Sequence, residues 1–487
     1  MTPLGVGSET PTIGERSRDL VVVVPGFMGS ELVERETGRV LWGMPAIAGY
    51  GARWRHREGF AALRVTDEER AGRAGRVEAT RILSAPAWAP LIGGLEPYGR
   101  LMKRLRTAVI DPDAIRPFAY DWRLGLAHNA RELAVAIRRH LADWRAHPVH
   151  RAAQRRYQID RTPQVVLVAH SMGGLVVREM AGLSDTTDVM ADVRDTITLG
   201  TPFHGSLKAV EVLASGRGTP VPFPTGPLQK LAAGMPGLHE LLPSYKCRLH
   251  NDDLVALQPT DIEAIGGDRQ LATDAFDARH DIADVALTRH KLIVGTSQPT
   301  AQSVEFRDGI VACHMYRYDR DDDGYLVRDE IGRLARVDRG GDGTVYRYAA
   351  HLASVPEIPI VQQHGALPRT SRVLDIVCGV VTDVRDLGAV LGAGDVGLAV
   401  PEIAGVGDSL TITVTGDVDP AKISCTVEDA SDDRVIAHPR LTSRGDDQSL
   451  QAAVVTSEPG LYRVSVAAGG DPVSAIVLVE HADAGRE

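Results

Sequence analysis

The stretch QVVLVAHSMGGLVVREMAG, residues 164 to 182, decides the fold. Its first half is a continuous apolar run that reads as a fully buried parallel strand. Its second half is helix-like and puts Leu175, Val176 and Met180 where they can face a sheet. Between the two halves Ser171 occupies a sharp turn, with Ala169 and Gly173 two positions away on either side. Small residues are needed there, because strand and helix backbones approach closely and the serine is held in a strained conformation. Such an elbow presents a serine at the end of a sheet as a nucleophile, and alanine in place of the first glycine of G-x-S-x-G adds only one methyl group.

Working outward, similar buried runs occur at LVVVVPG (20 to 26), IRPFAY (115 to 120), VRDTITLG (193 to 200) and KLIVG (291 to 295). An amphipathic pattern over about 127 to 145, with Leu133, Ile137, Leu141 and Trp144 at helical spacing, lies among them. This alternation predicts an α/β fold with a doubly wound, mainly parallel sheet. Two stretches break it, about 41 to 96 and 206 to 289, and read as caps inserted over the sheet's active edge. The first carries Trp42, Trp54 and Trp88, with Arg53, Arg55 and Arg57 around the second. Two readings stand open for these tryptophans: packing of the cap onto the body, or an acyl-chain-binding cap that makes a peripheral membrane contact.

Residues 1–19 read as a polar tail, 20–390 as the large domain, and 391–405 as a glycine-rich linker. From 406 to 482 short alternating strands such as SLTITVTG and LYRVSVAA, separated by turn signals, predict an immunoglobulin-like β-sandwich. The linker composition predicts separately folding units, the second offering a surface for a protein partner.

A serine hydroxyl is a poor nucleophile at neutral pH and needs a base, itself oriented by a carboxylate. In this fold both partners follow the serine, acid before base. Asp342 sits in a glycine turn, GGDGTV, with Asp338 as its nearest rival. His364 precedes the helix-like SRVLDIVCGVV, which suits a last loop leading into a last helix better than His351 does. The backbone N–H of Met172 and that of Phe27, or of its neighbour Met28, would stabilise an oxyanion. His170 and His204 precede the acid and are assigned to packing or to pocket lining.

The 487 residues are 44% hydrophobic and 24% charged with a formal net charge of -10, which describes a globular chain and gives no basic field for nucleic acid. Cys247, Cys313, Cys378 and Cys425 have no CxxC spacing, so neither a zinc site nor a disulfide framework is expected. The N-terminus has no leader pattern and no uncharged run approaches the roughly 20 apolar residues that span a bilayer, so a cytoplasmic location is expected. Asp319 to Glu330 fits the spacing of an EF-hand calcium loop, but its flanks alternate like strands, so a charged hairpin without metal is expected.

The motifs PGFMGS (25 to 30), LWG (41 to 43), AYDWR (119 to 123), AHSMGG (169 to 174), LGTPFHGS (199 to 206), LLPS (241 to 244), GDGTV (341 to 345) and QQHG (362 to 365) occur in one order. In these the chain resembles the lecithin:cholesterol acyltransferase family, from about residue 20 to 380. The resemblance implies an α/β-hydrolase core with caps, a triad of Ser171, Asp342 and His364, no cofactor, and acyl-enzyme chemistry on lipid or acyl esters. It also brings Asp121, Trp122 and His204, beside Met28 and the cap tryptophans, into the expected substrate pocket. The expected activity is a serine acyl-ester hydrolase or acyltransferase. The alternatives are a pseudoenzyme, or a partner-controlled lipid-degrading effector whose β-sandwich is a binding module.

Overall fold

The computed structural model describes residues 16–43, 61–73, 75–89, 93–157, 161–215, 225–251, 253–321, 325–384, 396–416, 419–443 and 449–481. Six strands, β1 (Leu20–Val24), β2 (Ile115–Pro117), β3 (Val165–His170), β4 (Val193–Leu199), β5 (Lys291–Thr296) and β6 (Glu357–Val361), form one sheet in the order β6-β5-β4-β3-β1-β2. All of its pairings are parallel. β1, β3 and β4 are buried at every residue, as strands covered on both faces must be. Helix α2 (Leu126–Ala146) packs on α3 (Met172–Gly182), and α1 (Gly99–Ala108) packs on α4 (Ser371–Val381). The 127 to 145 pattern thus forms a helix that buries Leu133, Ile137, Leu141 and Trp144. Strand order, parallel pairing and the elbow after β3 make this an α/β-hydrolase core.

The start of the first predicted cap is built into the body. Val40–Trp42 pairs with Ser30–Glu34, which also pairs with Val77–Ile82. Farther on, Ala87–Ala89 pairs with Gly93–Leu95. Between β4 and β5 lie helices Leu207–Leu213, Pro259–Ala264 and Arg269–Asp281 and the strand Arg248–His250, which pairs with Ser303–Arg307 beyond β5. Near the acidic loop, isolated bridges pair Arg320 with Leu326 and Arg328 with Leu334, the pattern of hairpins. Residues 322–324 of that loop lie outside the described residues.

Beyond the hydrolase core, β7 (Gly397–Ala399), β8 (Ile403–Gly405), β9 (Ser409–Thr415), β10 (Ser424–Asp429), β11 (Arg434–Ala437), β12 (Thr442–Ser443), β13 (Leu450–Val455), β14 (Gly460–Ala467) and β15 (Val473–Glu480) form two sheets. Their orders are β7-β9-β13-β12 and β8-β15-β14-β10-β11, mostly antiparallel, over a core that includes Leu410, Ile412, Val427, Val464 and Val477. The alternating burial of Ser409–Thr415 shows the period-2 pattern read from the sequence.

The two units meet closely, which differs from the expected independence of the β-sandwich. Leu461, Ile476 and Leu478 from the β-domain belong to the same apolar cluster as the hydrolase core. Gly94 lies so close to β15 that an added Cβ would stand 2.4 Å from Cβ of Ile476. A buried ion cluster sits beside this contact: Glu96 accepts from Arg463 Nε at 2.6 Å and Nη2 at 3.0 Å, and from Arg369 Nη1 at 2.5 Å. A glycine-rich connection reports backbone freedom and carries no information about the surface its neighbours bury.

Removing one partner of a buried ion cluster leaves uncompensated charge, at about 3–5 kcal/mol. Glu96→Ala is therefore expected to lower unfolding stability by that amount in denaturant titration. A loss under about 1 kcal/mol would show that the cluster is solvated and not a structural tie.

Candidate active site

Ser171 ends β3 and opens α3 with φ 53° and ψ −128°, the strained backbone that its small neighbours permit. Its N–H donates to Leu199 O at 2.8 Å, which pins the elbow to β4. Gly173 is required by close approach, since a Cβ there would stand 2.4 Å from Pro25 O at the end of β1.

Asp342 and His364 come from the loops that follow β5 and β6. The N–H of His364 donates to Asp342 O at 2.7 Å, so the two loops are joined through their backbones. Asp342 Oδ2 stands 2.7 Å from His364 Nδ1, and His364 Nε2 stands 2.8 Å from Ser171 Oγ. The other carboxylate oxygen, Oδ1, accepts from the Thr344 N–H at 3.0 Å and the Val345 N–H at 2.6 Å. Asp342 is 1% exposed, so its carboxylate is fixed and largely dry. With Nδ1–H donated to the carboxylate, Nε2 is left to accept the serine proton.

Asp338, the rival acid, is occupied elsewhere: its Oδ1 accepts from Gln302 Nε2 at 2.6 Å and the Gly340 N–H at 2.7 Å. His351 stands 2.8 Å from Glu357 and not in the relay. Met172 is the first residue of α3, so its N–H has no intrahelical acceptor. Phe27 and Ser171 both line the same narrow cavity of about 50 Å³, with Leu95, Leu238, Leu241 and Val345.

Several expected pocket residues belong to the core instead. Trp42 donates from Nε1 to Met28 O at 2.6 Å, and Trp122 donates from Nε1 to Ser30 O at 3.1 Å. Trp122 packs edge-on against both Phe27 and Trp42, at ring distances of 5.1 and 6.2 Å. Trp88 and Met28 are likewise buried and do not line the Ser171 cavity. Asp121 accepts from Arg123 Nη2 at 2.6 Å, and His204 stacks on Tyr348. Trp54 lies outside the described residues. An indole stabilises a core as readily as a cap, so composition could not separate these two readings.

His170, which the sequence assigns to packing or to pocket lining, has a definite role in the geometry. His170 lines the cavity and connects three elements. Its Nε2 stands 3.1 Å from His364 O, an atom that only accepts, so Nε2 carries the proton. Nδ1 then accepts from the Tyr98 hydroxyl at 2.8 Å, and that hydroxyl accepts from the Gly26 N–H at 2.9 Å. Burial first, then the nearby charge of His364, hold the His170 pKa well below its ordinary value, so the ring stays neutral. A hydrogen-bonded chain thus runs from the loop after β1 to the backbone of His364. No local pattern marks Tyr98 as its middle member.

Residues 78–276 match the family model described as lecithin:cholesterol acyltransferase. This match includes Ser171 and ends before Asp342. Among curated proteins none matches the chain. Of solved structures, the Tle4–Tli4 complex is similar at 15% identity, covering 76% of this chain and 99% of that chain, with a TM-score of 0.42. The mature form of the lipase BlEst2 from Bacillus licheniformis is similar at 13% identity, covering 72% of this chain and 87% of that chain, with a TM-score of 0.26. The family match supports an ester-acting hydrolase or acyltransferase.

Tyr98→Phe removes the acceptor of the Gly26 N–H and the donor to His170 in one step. A stability loss of about 1–3 kcal/mol is expected from calorimetry or denaturant titration. An unchanged midpoint would mean that the chain from Gly26 to His364 holds nothing in place.

Proposed function

We propose that the chain is a serine esterase or lipase that transfers the acyl group of a lipid or acyl ester to Ser171 and then to water. The observation that carries this reading is the relay of Asp342 Oδ2, His364 and Ser171 Oγ, at 2.7 and 2.8 Å, opening on an apolar cavity. In the first step His364 Nε2 takes the proton of Ser171 Oγ as that oxygen bonds to the ester carbonyl carbon. The carbonyl oxygen becomes an oxyanion facing the Met172 and Phe27 amides. The C–O bond to the alcohol then breaks, and His364 returns the proton to the leaving alkoxide. Water next attacks the acyl-enzyme, giving its proton to His364, and expulsion of Ser171 Oγ restores the free hydroxyl and releases the acid.

Asp342 fixes the tautomer of His364 and stabilises the imidazolium formed in each step. Leu95, Leu238, Leu241 and Val345 favour an apolar acyl group beside the serine. A cavity of about 50 Å³ holds the ester group and the first carbons only, so longer chains require the lining to move apart. Among the described residues no helix is long and apolar enough to cross a membrane.

Ser171→Ala is expected to lower kcat on a short-chain ester by about 10⁴ or more. Asp342→Asn should approach that loss while Asp338→Asn stays near wild type. A fluorophosphonate should add one mass to the wild type at Ser171 and none to Ser171→Ala. Full turnover by Ser171→Ala, or labelling at another residue, would overturn the assignment.

A further inference from the structure

We infer that the C-terminal β-domain is a working part of the active site, because it holds the His364 loop in register through Gln362 and Gln363. The inference rests on the proposed reading of Ser171 as nucleophile and His364 as base. His364 follows β6, an edge strand of the six-stranded sheet, which among the described residues pairs only with β5. Its loop therefore has no next strand to support it on the outer side, and the β-domain occupies that side.

The two residues before His364 both reach across the junction. Gln362 donates from Nε2 to Pro472 O at 2.9 Å and accepts from the Ser474 N–H at 2.9 Å, and within its own loop it donates to Thr370 Oγ1 at 3.2 Å and accepts from the Gln363 N–H at 2.9 Å. It thus pairs with the start of β15 as a backbone amide would. Gln363 donates from Nε2 to Leu398 O on β7 at 2.8 Å and to Gln298 Oε1 at 3.1 Å. The same Gln298 Oε1 accepts from the Leu398 N–H at 3.0 Å.

The Gln363 side chain also fills the space beside the acid. A Cβ added at Gly343, the residue after Asp342, would stand 2.3 Å from Gln363 Oε1. One side chain therefore touches the acid turn, flanks the base and is anchored to the β-domain. On the far side of His364, Arg369 meets the β-domain's Arg463 through Glu96, and the Arg372 N–H donates to Asp471 Oδ2 at 2.8 Å. The base loop is held on both sides of His364 by the same unit.

Both glutamines are positioning residues and touch no reacting atom. Loosening the loop by a fraction of an ångström lengthens the relay to Ser171, while the apolar residues that flank the acyl group, Leu95, Leu238, Leu241 and Val345, belong to other segments. The expected signature is a fall in kcat with KM little changed.

The test uses the full chain with Gln362→Met and Gln363→Met, which keep side-chain length and remove every donated and accepted bond. Each variant is expected to lower kcat, and the rate at which a fluorophosphonate labels Ser171, by about ten-fold or more at a temperature where it is fully folded. Ile412→Val, in the β-domain core and making none of the loop's hydrogen bonds, serves as the control: it should lower Tm and leave kcat and labelling at wild-type values. Asp471→Asn provides a milder loosening should either Met variant fail to fold, with a smaller loss of the same kind. Wild-type kcat and labelling in the folded Gln variants would overturn the inference while leaving Ser171 as nucleophile. A loss in Ile412→Val equal to theirs would overturn it as well, since general destabilisation would then account for the effect. Absence of Ser171 labelling in the wild type would instead remove the reading beneath it.

Discussion

The hydrogen bond from the His364 N–H to Asp342 O, at 2.7 Å, is the constraint on which the site depends. It joins the loops after β5 and β6 before either side chain is considered. The side-chain contact of 2.7 Å between the same two residues then needs no adaptation. Ser171 is delivered independently, by an elbow bonded to Leu199 and packed against Pro25. The relay forms because two separately fixed backbones end within a side chain's reach of each other, which is what preorganisation for acyl transfer requires.

The parts of this arrangement that the sequence reveals are those with local signatures. Buried strands announce themselves by unbroken β-branched runs, and the elbow by small residues at fixed offsets from Ser171. Asp342 stands out from Asp338 because glycines flank it directly; the structure adds that Asp338 is occupied by the Gly340 N–H of its own turn and by the side chain of Gln302. The tryptophans were not legible in the same way. Trp42 and Trp122 use their N–H groups on Met28 O and Ser30 O, within the loop and strand that follow β1. Their chemistry would suit a lid equally well, and only position distinguishes the two.

Contacts between distant segments left no trace in the sequence at all. Glu96 and Arg463 are 367 positions apart, in stretches read as a cap and a separate sandwich. Each looks like an ordinary surface charge. Placed together with Arg369, with side chains no more than 11% exposed, they become a junction that is specific because any one of them alone would be costly to bury. The glycine-rich connection suggested independence for a sound local reason, yet the area buried between two units is a property of their faces. Leu461, Ile476 and Leu478 show alternation like any strand residues, and nothing in that pattern says which sheet face meets solvent and which meets the hydrolase.

The three members of the relay therefore differ in what holds them. Ser171 rises from β3, which has partners on both sides, and its elbow is braced by strand ends to left and right. Asp342 lies behind β5, also paired on both sides, and an isolated bridge between Gln298 and Gly341 closes its long excursion back onto that strand. His364 alone rises from an edge. Edge strands leave one row of backbone groups without a sheet partner and the loop beyond without a flanking turn. A base held to within a fraction of an ångström needs that missing support from outside the sheet. Here a second domain supplies it, with Gln362 standing in as the peptide-like pair of β15 and Gln363 tying acid, base and β7 together. The chain's two domains are thus joined beside the residue whose geometry the proposed chemistry can least afford to lose.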